Sequence, residues 1–179
     1  MLFRSWGIGC RFDDKLAVEK LYNIKGRDFS NPLQIQLSAV DEIKKYTTET
    51  YDGILKNISE KFLPGPLSIV LKKKNVPNFT TSNLDTVSIR VSSCDVLTKI
   101  IEFIGYPLAS TSCNKSGEPV LVNFNDIKVF AHNHSDVFIS IDYKTLNKGS
   151  TIISLDKSKL TLLREGTLGY EEIKKVANI

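Results

Sequence analysis

The sequence predicts a single α/β domain, because short strand-like stretches alternate with longer helical ones. Apolar or alternating runs of about five residues are separated by amphipathic runs of about ten, which is typical of strands mixed with helices. The chain has 179 residues, enough for one substantial hydrophobic core. It contains no internal repeat and no linker-like tract. We therefore expect one domain over residues 1–179.

Composition narrows the function only slightly. With 41% hydrophobic and 25% charged residues, the chain resembles an ordinary globular protein. A formal net charge of +4 is compatible with contact to nucleotides, tRNA or double-stranded RNA, although many cytosolic proteins carry such a surplus. No apolar run is as long as a membrane span, and the first residues lack the apolar core of a signal peptide. The expectation is a cytoplasmic protein with no membrane partner.

The cysteines and histidines indicate neither a resident metal nor covalent hydrolysis. Cys10, Cys94 and Cys113 are odd in number, show no metal-ligand spacing and fit a reducing cytosol. His132 and His134 lie two residues apart in one polar segment, where we expect them at the surface. A Ser-His-Asp or Cys-His arrangement is implausible with both histidines in one loop.

The first part of the chain is predicted to form a turn, a helix and a strand. Residues 6–9 (WGIG) predict a glycine-punctuated turn. Asp13 is a suitable N-cap for a helix that ends near Gly26. The alternating run 33–37 (LQIQL) predicts a strand with one face in water.

The rest of the chain continues the alternation of helices and strands. Arg90 lies inside a predicted strand, so it either faces solvent or has an anionic partner. Residues 75–85 are predicted to form a loop. The other predicted elements, in chain order, are helices at 40–46 and 52–62, strands at 67–71 and 87–91, helices at 95–104 and 125–131, strands at 137–141, 151–155 and 160–163, and a short helix at 170–179.

The polar stretch 107–119 (PLASTSCNKSGEP) is the strongest local signal for a binding site. An apolar run that would end a buried strand precedes hydroxyl and amide side chains, and Gly117 and Pro119 then form a turn. Such a cluster at the carboxyl end of a strand can aim backbone N–H groups, hydroxyls and an amide at one anion. An ordinary polar loop is the alternative. Far upstream, Lys25 and Arg27 supply the two cations that a polyphosphate would need.

These candidate ligands suit phosphoryl or nucleotidyl transfer, in which catalysis is mainly positioning and charge stabilisation. No P-loop and no G-x-G-x-x-G fingerprint is present. Lys25 and Arg27 could instead be helix C-terminal cations, and residues 72–74 (KKK) are either phosphate ligands or a solvated charge run. The candidates are Lys25, Arg27, Asn31, Arg90, Ser110, Ser112, Asn114, Ser150 and Arg164.

Six motifs occur along the chain in the order found in one known family. Residues 25–27 (KGR) with 31–33 (NPL) are similar to its K-x-R and N-P-L signature, and residues 110–117 (STSCNKSG) are similar to its S-x-S-A-N-x-S-G loop. The other four motifs are residues 62–67 (FLPGPL), 86–91 (TVSIRV), 149–153 (GSTII) and 163–166 (LREG). From about Gly7 to Gly166, the chain thus resembles the threonylcarbamoyl-AMP synthase family, which shares a YrdC-like domain.

The resemblance implies an α+β fold with a twisted open mixed sheet flanked by helices and a large basic cavity on one face. It implies an L-threonylcarbamoyladenylate synthase, which condenses L-threonine, bicarbonate and ATP to threonylcarbamoyl-AMP and pyrophosphate. This nucleotidyltransferase product serves the threonylcarbamoyladenosine modification of tRNA, so the implied partners include tRNA and the proteins that transfer the threonylcarbamoyl group. ATP would act as a substrate with Mg²⁺, with no tightly bound cofactor and no carboxylate cage for the metal.

The resemblance also implies roles for single residues. Lys25 and Arg27 would be catalytic, holding the ATP phosphates and neutralising charge as pyrophosphate leaves. Arg90 would pair with the threonine carboxylate. Gln36 stands where family members often carry a histidine. The further ATP contacts would be Asn31, Thr86, Ser112, Asn114 and Arg164, and the further threonine contacts would be Ser110, Ser150 and Gln36.

The N-terminus departs from the family, which has a helix and a strand before residue 7. That strand ends in P-T-x-T, so Leu2 and Arg4 stand where hydroxyls are expected, as in an N-terminally truncated domain. Three interpretations are a coding sequence that starts too late, a degraded remnant and a partner that completes the sheet. Two alternative functions stay open: a nucleotide- or double-stranded-RNA-binding relative without synthase activity, and a domain related to O-carbamoyl transfer.

Overall fold

The computed structural model describes residues 6–140 and 149–179, which contain a seven-stranded mixed sheet. The strands are β1 (Gly7–Arg11), β2 (Gln34–Leu37), β3 (Leu67–Lys72), β4 (Thr86–Val91), β5 (Leu108–Ser112), β6 (Thr151–Asp156) and β7 (Lys159–Arg164). They lie in the order β1-β5-β2-β4-β3-β6-β7, with β2–β4 and β3–β6 parallel and the other pairs antiparallel. This single open mixed sheet confirms the predicted fold class. Leu2 and Arg4 lie outside the described residues.

Six α-helices flank the sheet in the described part of the chain. They are α1 (Lys15–Lys25), α2 (Ile43–Tyr46, after a 3-10 turn at Val40–Glu42), α3 (Gly53–Phe62), α4 (Asp95–Ile104), α5 (Phe124–His134) and α6 (Tyr170–Ala177). None of these helices is long and apolar enough to cross a membrane. The positions of these helices confirm the helices predicted from periodicity, and their ends differ from the predicted ones by a few residues.

Both ends of α1 are fixed by local hydrogen bonds. The Asp14 carboxylate accepts the Ala17 N–H at 3.0 Å, so Asp14 is the N-cap in place of the predicted Asp13. Asp13 instead pairs with Arg11 at 3.0 Å. Gly26 ends the helix with a φ of 53°, a left-handed conformation that glycine adopts without a steric cost.

The two faces of the central strands differ in chemistry. Ile35, Ile69 and Ile89 are fully buried in a core that also contains apolar side chains of α1, α3 and α6. Because successive residues of a strand point to opposite faces, Gln34 and Gln36 lie on the other side of the sheet. Gln36 is only 6% exposed, so this polar face lies against a cavity where the sequence predicted a face in water.

The turn predicted at residues 6–9 is wrong, because residues 7–11 form β1 and pair with β5. A Cβ atom at Gly9 would lie 2.8 Å from the carbonyl oxygen of Ala109 on β5. Glycine is therefore needed here for a close approach of two strands. The same residue type that signals a turn in the sequence serves strand pairing in the fold.

The strand predicted at 137–141 is also wrong over its described part. Residues 137–140 adopt no regular structure, and Ile141 lies outside the described residues. The side chains of Val137, Phe138 and Ile139 instead line the cavity above the sheet. These apolar side chains therefore form part of a cavity wall and do not belong to a strand of the sheet.

Candidate functional site

A cavity of about 950 Å³ lies over the polar face of the central strands. Its volume falls within the range of small-molecule sites, roughly 300–1,000 Å³. Arg27, Arg90 and Arg164 line it, and no Asp or Glu does so in the described part of the chain. The cavity therefore attracts anions. Its polar floor is formed by Gln34, Gln36, Ser88, Arg90, Ser110, Ser112 and Ser150.

The opposite wall of this cavity is apolar. Val96, Leu97 and Ile100 of the amphipathic helix α4 face it. At the rim, the rings of Trp6 and Phe138 stack with their centroids 5.8 Å apart. The polar floor can thus bind a charged group of a ligand, and the apolar wall can pack against an apolar or aromatic group.

A smaller pocket of about 270 Å³ adjoins the cavity. The two share Arg27, Thr111 and Ser112 in their walls. Two stretches far apart in the sequence, the end of α1 and the loop after β5, meet here. The lining residues are Lys25, Arg27, Asn31, Thr111, Ser112, Asn114, Ser116 and Gly117.

Lys25 holds the loop that forms this pocket. Its ammonium group donates hydrogen bonds to the carbonyl oxygen of Ser112 at 2.7 Å, to Oδ1 of Asn114 at 2.7 Å and to the carbonyl oxygen of Asn114. The Ser116 N–H returns a bond to the Lys25 carbonyl at 2.8 Å. An ammonium group has three protons, so all of them are engaged by the protein. Lys25, which is 2% exposed, thus shapes the pocket and gives it a positive charge.

The side chains of Ser112 and Asn114 are tied into the same loop. Ser112 Oγ donates to Asn114 Oδ1 at 2.6 Å, and Asn114 Nδ2 donates to the carbonyl oxygens of Lys115 and Glu118 at 2.9 and 2.7 Å. Cys113 lies between these two residues in the sequence, and burial raises the pKa of its thiol to about 11. A thiol with this pKa is protonated near neutral pH and is a poor nucleophile.

Arg27 is the cation that remains available to a ligand. Its Nε donates to the carbonyl oxygen of Asn31 at 3.1 Å and its Nη2 to that of Pro32 at 3.0 Å. These bonds fix the side chain, while its remaining N–H groups have no hydrogen-bond partner among the described residues. Because Arg27 lines both cavities, it can contact an anion at their junction.

Arg90, for which the sequence left solvent or an anionic partner open, lines the cavity. Its Nε donates to the carbonyl oxygen of Gly65 at 3.1 Å. On the neighbouring strand, Gln36 is its register partner. In the described part of the chain, the buried oxygens Gln36 Oε1 and Ser88 Oγ have no hydrogen-bond partner. Buried polar atoms are normally paired, so these two mark a place where a ligand donor is expected.

Arg164 and Ser150 close the far end of the cavity floor. Arg164 Nη2 donates to the Ser150 carbonyl at 2.9 Å and lies 3.5 Å from Ser150 Oγ. Desolvation lowers the pKa of Arg164 below its ordinary value, yet an arginine stays charged at physiological pH. Arg164 therefore contributes a fixed positive charge to the cavity that Arg27 and Arg90 also line.

Ten of the eleven predicted site residues line one or both cavities, and Thr86 does not. Thr86 lies opposite Lys72 at the start of β4, one pleat beyond Ser88 on the same face. Ser88 takes the position nearer to the cavity. The roles expected for the ten residues stay predictions, because their ligands are inferred only from the resemblance.

The predicted set omits several polar residues of the site, among them Gln34, Ser88 and Thr111 in the cavity walls and Ser68 beneath the floor. Gln34 and Ser88 could have been found, since strand alternation places them on the same face as Gln36 and Arg90. Thr111 lies within the predicted loop but was not chosen. Ser68 has no signal, because it is one hydroxyl in an apolar run.

The affinity of the smaller pocket for a polyphosphate, for which ATP is the probe, should fall as the pH rises above 8. Burial, reinforced by the nearby charge of Arg27, lowers the pKa of Lys25 to about 8. A bound polyphosphate favours the ammonium form, so binding is strongest below this pKa and weakens as the proton is lost. Phosphate groups with a pKa of about 6 are already ionised there. Titration calorimetry should show about a fivefold loss of affinity between pH 7.5 and 9.5. A flat profile would contradict this role of Lys25.

Comparison with known proteins places the chain among threonylcarbamoyl-AMP synthase relatives. A "Threonylcarbamoyl-AMP synthase" from Pyrococcus abyssi is 31% identical over 172 residues, covering 96% of this chain and 50% of the relative. A "Putative threonylcarbamoyl-AMP synthase" from Methanocaldococcus jannaschii is 34% identical over 171 residues, covering 95% of this chain and 79% of the relative. The chain thus spans about half the length of the first of these relatives.

Solved structures agree with this placement. The crystal structure of P. abyssi Sua5 complexed with L-threonine superposes with a TM-score of 0.89 at 30% identity, covering 98% of this chain and 52% of that one. Escherichia coli YciO superposes with a TM-score of 0.84 at 22% identity, covering 97% and 84%, which shows the shared fold. The profile of the Sua5/YciO/YrdC family, described as "Telomere recombination", matches residues 5–166. The chain therefore belongs to the Sua5/YciO/YrdC family.

Proposed function

We propose that this chain acts as an L-threonylcarbamoyladenylate synthase, which uses ATP, L-threonine and bicarbonate and releases pyrophosphate. One observation carries the proposal: the small cationic pocket and the large cavity meet at Arg27, Thr111 and Ser112. A polyphosphate in the pocket and an amino acid in the cavity would therefore lie next to each other. The threonylcarbamoyl-AMP synthases among its relatives support the same activity.

In this proposal the triphosphate occupies the small pocket. The unengaged N–H groups of Arg27 bind phosphate oxygens, and the Lys25 ammonium adds a charge from behind the loop. Charge on the departing pyrophosphate is stabilised by the same two cations, because they are already fixed by protein hydrogen bonds. Mg²⁺ would enter with the triphosphate and keep phosphate oxygens and water as ligands. Within residues 6–140 and 149–179 no group of three or more His, Cys, Asp or Glu could hold a metal ion.

The amino acid occupies the large cavity in this proposal. Arg90 pairs with its carboxylate, and Gln36 Oε1, which has no hydrogen-bond partner in the described part of the chain, accepts a hydrogen bond from its ammonium or hydroxyl group. The ammonium group would first lose one proton to water, and the neutral amine would then attack the bicarbonate carbon and release water, which gives an N-carboxy amino acid. Its new carboxylate oxygen would then attack the α-phosphorus, and the bond to the β-phosphate would break with pyrophosphate leaving. The product would serve tRNA modification in the cytoplasm.

The proposed activity is tested by pyrophosphate release from Mg-ATP, with mass spectrometry of the nucleotide product. We expect release only when L-threonine and bicarbonate are both present, with threonylcarbamoyl-AMP formed in equal amount. L-valine is the matched control, because it has the shape of threonine without the hydroxyl group. Pyrophosphate release at the same rate with and without L-threonine would contradict the proposal. Binding of ATP or double-stranded RNA without any turnover would support a binding relative instead.

A further inference from the structure

A hydrogen-bond chain joins one residue beneath the cavity floor, Ser68, to two residues of the floor, Gln34 and Ser150. Ser68 on β3 is fully buried, and its Oγ donates to Gln34 Oε1 at 2.6 Å. The same Oγ lies 3.0 Å from Ser150 Oγ. A serine hydroxyl has one proton, and that of Ser68 is committed to Gln34. Ser150 must therefore be the donor in the contact between the two serines.

This direction determines what Ser150 can offer to a ligand. Its only hydroxyl proton points to Ser68, so the side of Oγ that faces the cavity presents lone pairs. Arg164 Nη2, 3.5 Å away, donates to one of these lone pairs. Ser150 is 6% exposed and lines the large cavity. The second lone pair of Ser150 Oγ can thus accept a hydrogen bond from an ammonium or hydroxyl group of a ligand.

We propose that Ser68 is a positioning residue that fixes Ser150 as a hydrogen-bond acceptor for the ammonium or hydroxyl group of the amino-acid substrate. This inference rests on the proposed function, because it takes the ligand of the large cavity to be an amino acid. Ser68 itself does not line the cavity. Its effect on binding must therefore pass through the two cavity-lining residues that it contacts, Ser150 and Gln34, and the test separates these two routes.

The test is a double-mutant cycle of Ser68→Ala and Ser150→Ala, with L-threonine binding measured by calorimetry in the presence of Mg²⁺ and a non-hydrolysable ATP analogue. Without Ser68, the Ser150 hydroxyl can rotate and donate, so we expect threonine affinity to fall about tenfold. Ser68→Thr keeps the hydroxyl and should bind within about threefold of wild type. In the Ser150→Ala background, Ser68→Ala should have almost no further effect, because the two act as one unit.

Ser59→Ala is the matched control, since Ser59 is also fully buried but lines neither cavity. It should leave threonine affinity within about twofold of wild type. An unchanged affinity in Ser68→Ala, or an equal loss in the Ser150→Ala background, would overturn the inference. Failure of the proposed function looks different, because wild-type protein would then not bind L-threonine at all.

Discussion

Replacing Arg27 by glutamine should lower ATP-dependent pyrophosphate release by at least about 100-fold. Arg27 lines both cavities, and its N–H groups beyond those bound to the Asn31 and Pro32 carbonyls have no partner in the described part of the chain. Glutamine keeps hydrogen-bonding atoms but removes the charge that stabilises the departing pyrophosphate. The rate at saturating ATP should fall, and the dissociation constant of ATP should rise.

Arg11→Gln is the matched control for this substitution. Arg11 is an exposed arginine of β1 that pairs with Asp13 and lies over the Tyr106 ring. An exposed ion pair contributes little, so turnover should stay within about twofold of wild type. Equal turnover in Arg27→Gln and Arg11→Gln would show that Arg27 does not contact the reacting phosphates.

Replacing Lys25 by methionine should destabilise the fold as well as the site. The change removes the ammonium donor from three acceptors in a buried region, the carbonyl oxygens of Ser112 and Asn114 and the Asn114 Oδ1. The Ser112 carbonyl keeps the Asn114 N–H as a donor and Oδ1 keeps Ser112 Oγ, whereas the Asn114 carbonyl keeps no donor in the described part of the chain. We expect the free energy of unfolding to fall by about 3 kcal/mol, and ATP affinity to fall at least tenfold because the loop loses its anchor. Denaturant titration and calorimetry measure the two effects separately.

Lys20→Met, on the same helix, separates the anchor from a general loss of charge. Lys20 is exposed and pairs with the exposed Asp136 at 3.6 Å. Its removal should change stability by less than about 1 kcal/mol and leave ATP affinity nearly unchanged. If Lys25→Met were as stable as Lys20→Met, the buried hydrogen bonds of Lys25 could not be holding the loop.

Most of the fold was predictable because its elements have clear periodicity. Helix α4 begins and ends at the predicted residues, 95 and 104, since its apolar stripe and the following Gly105 define it locally. Strand β1 was not predictable, because two glycines in five residues carry little strand propensity and the pairing depends on a distant strand. The apolar run at residues 137–141 predicted a strand, but in its described part the side chains line the cavity and form no strand.

Most residues of the site could be predicted from the sequence, but the contacts that each residue makes could not. Motif order identified Lys25, Ser112 and Asn114, yet nothing in the sequence indicates that they bind one another. Those contacts join residues nearly ninety positions apart, as in the bond between Lys25 and Asn114. The hydrogen-bond chain through Ser68 is hidden for the same reason. Local patterns predict which face a side chain occupies, whereas its partners depend on the assembled sheet.

The proposed function requires one continuous site that binds ATP and the amino acid side by side. The melting temperature of the purified chain, measured with Mg-ATP, with L-threonine and with both, tests it most directly. Ligands that bind only the folded state raise this temperature by mass action. We predict a rise with Mg-ATP that increases further when L-threonine is added. No rise with either ligand, or a rise with Mg-ATP that L-threonine leaves unchanged, would contradict this requirement.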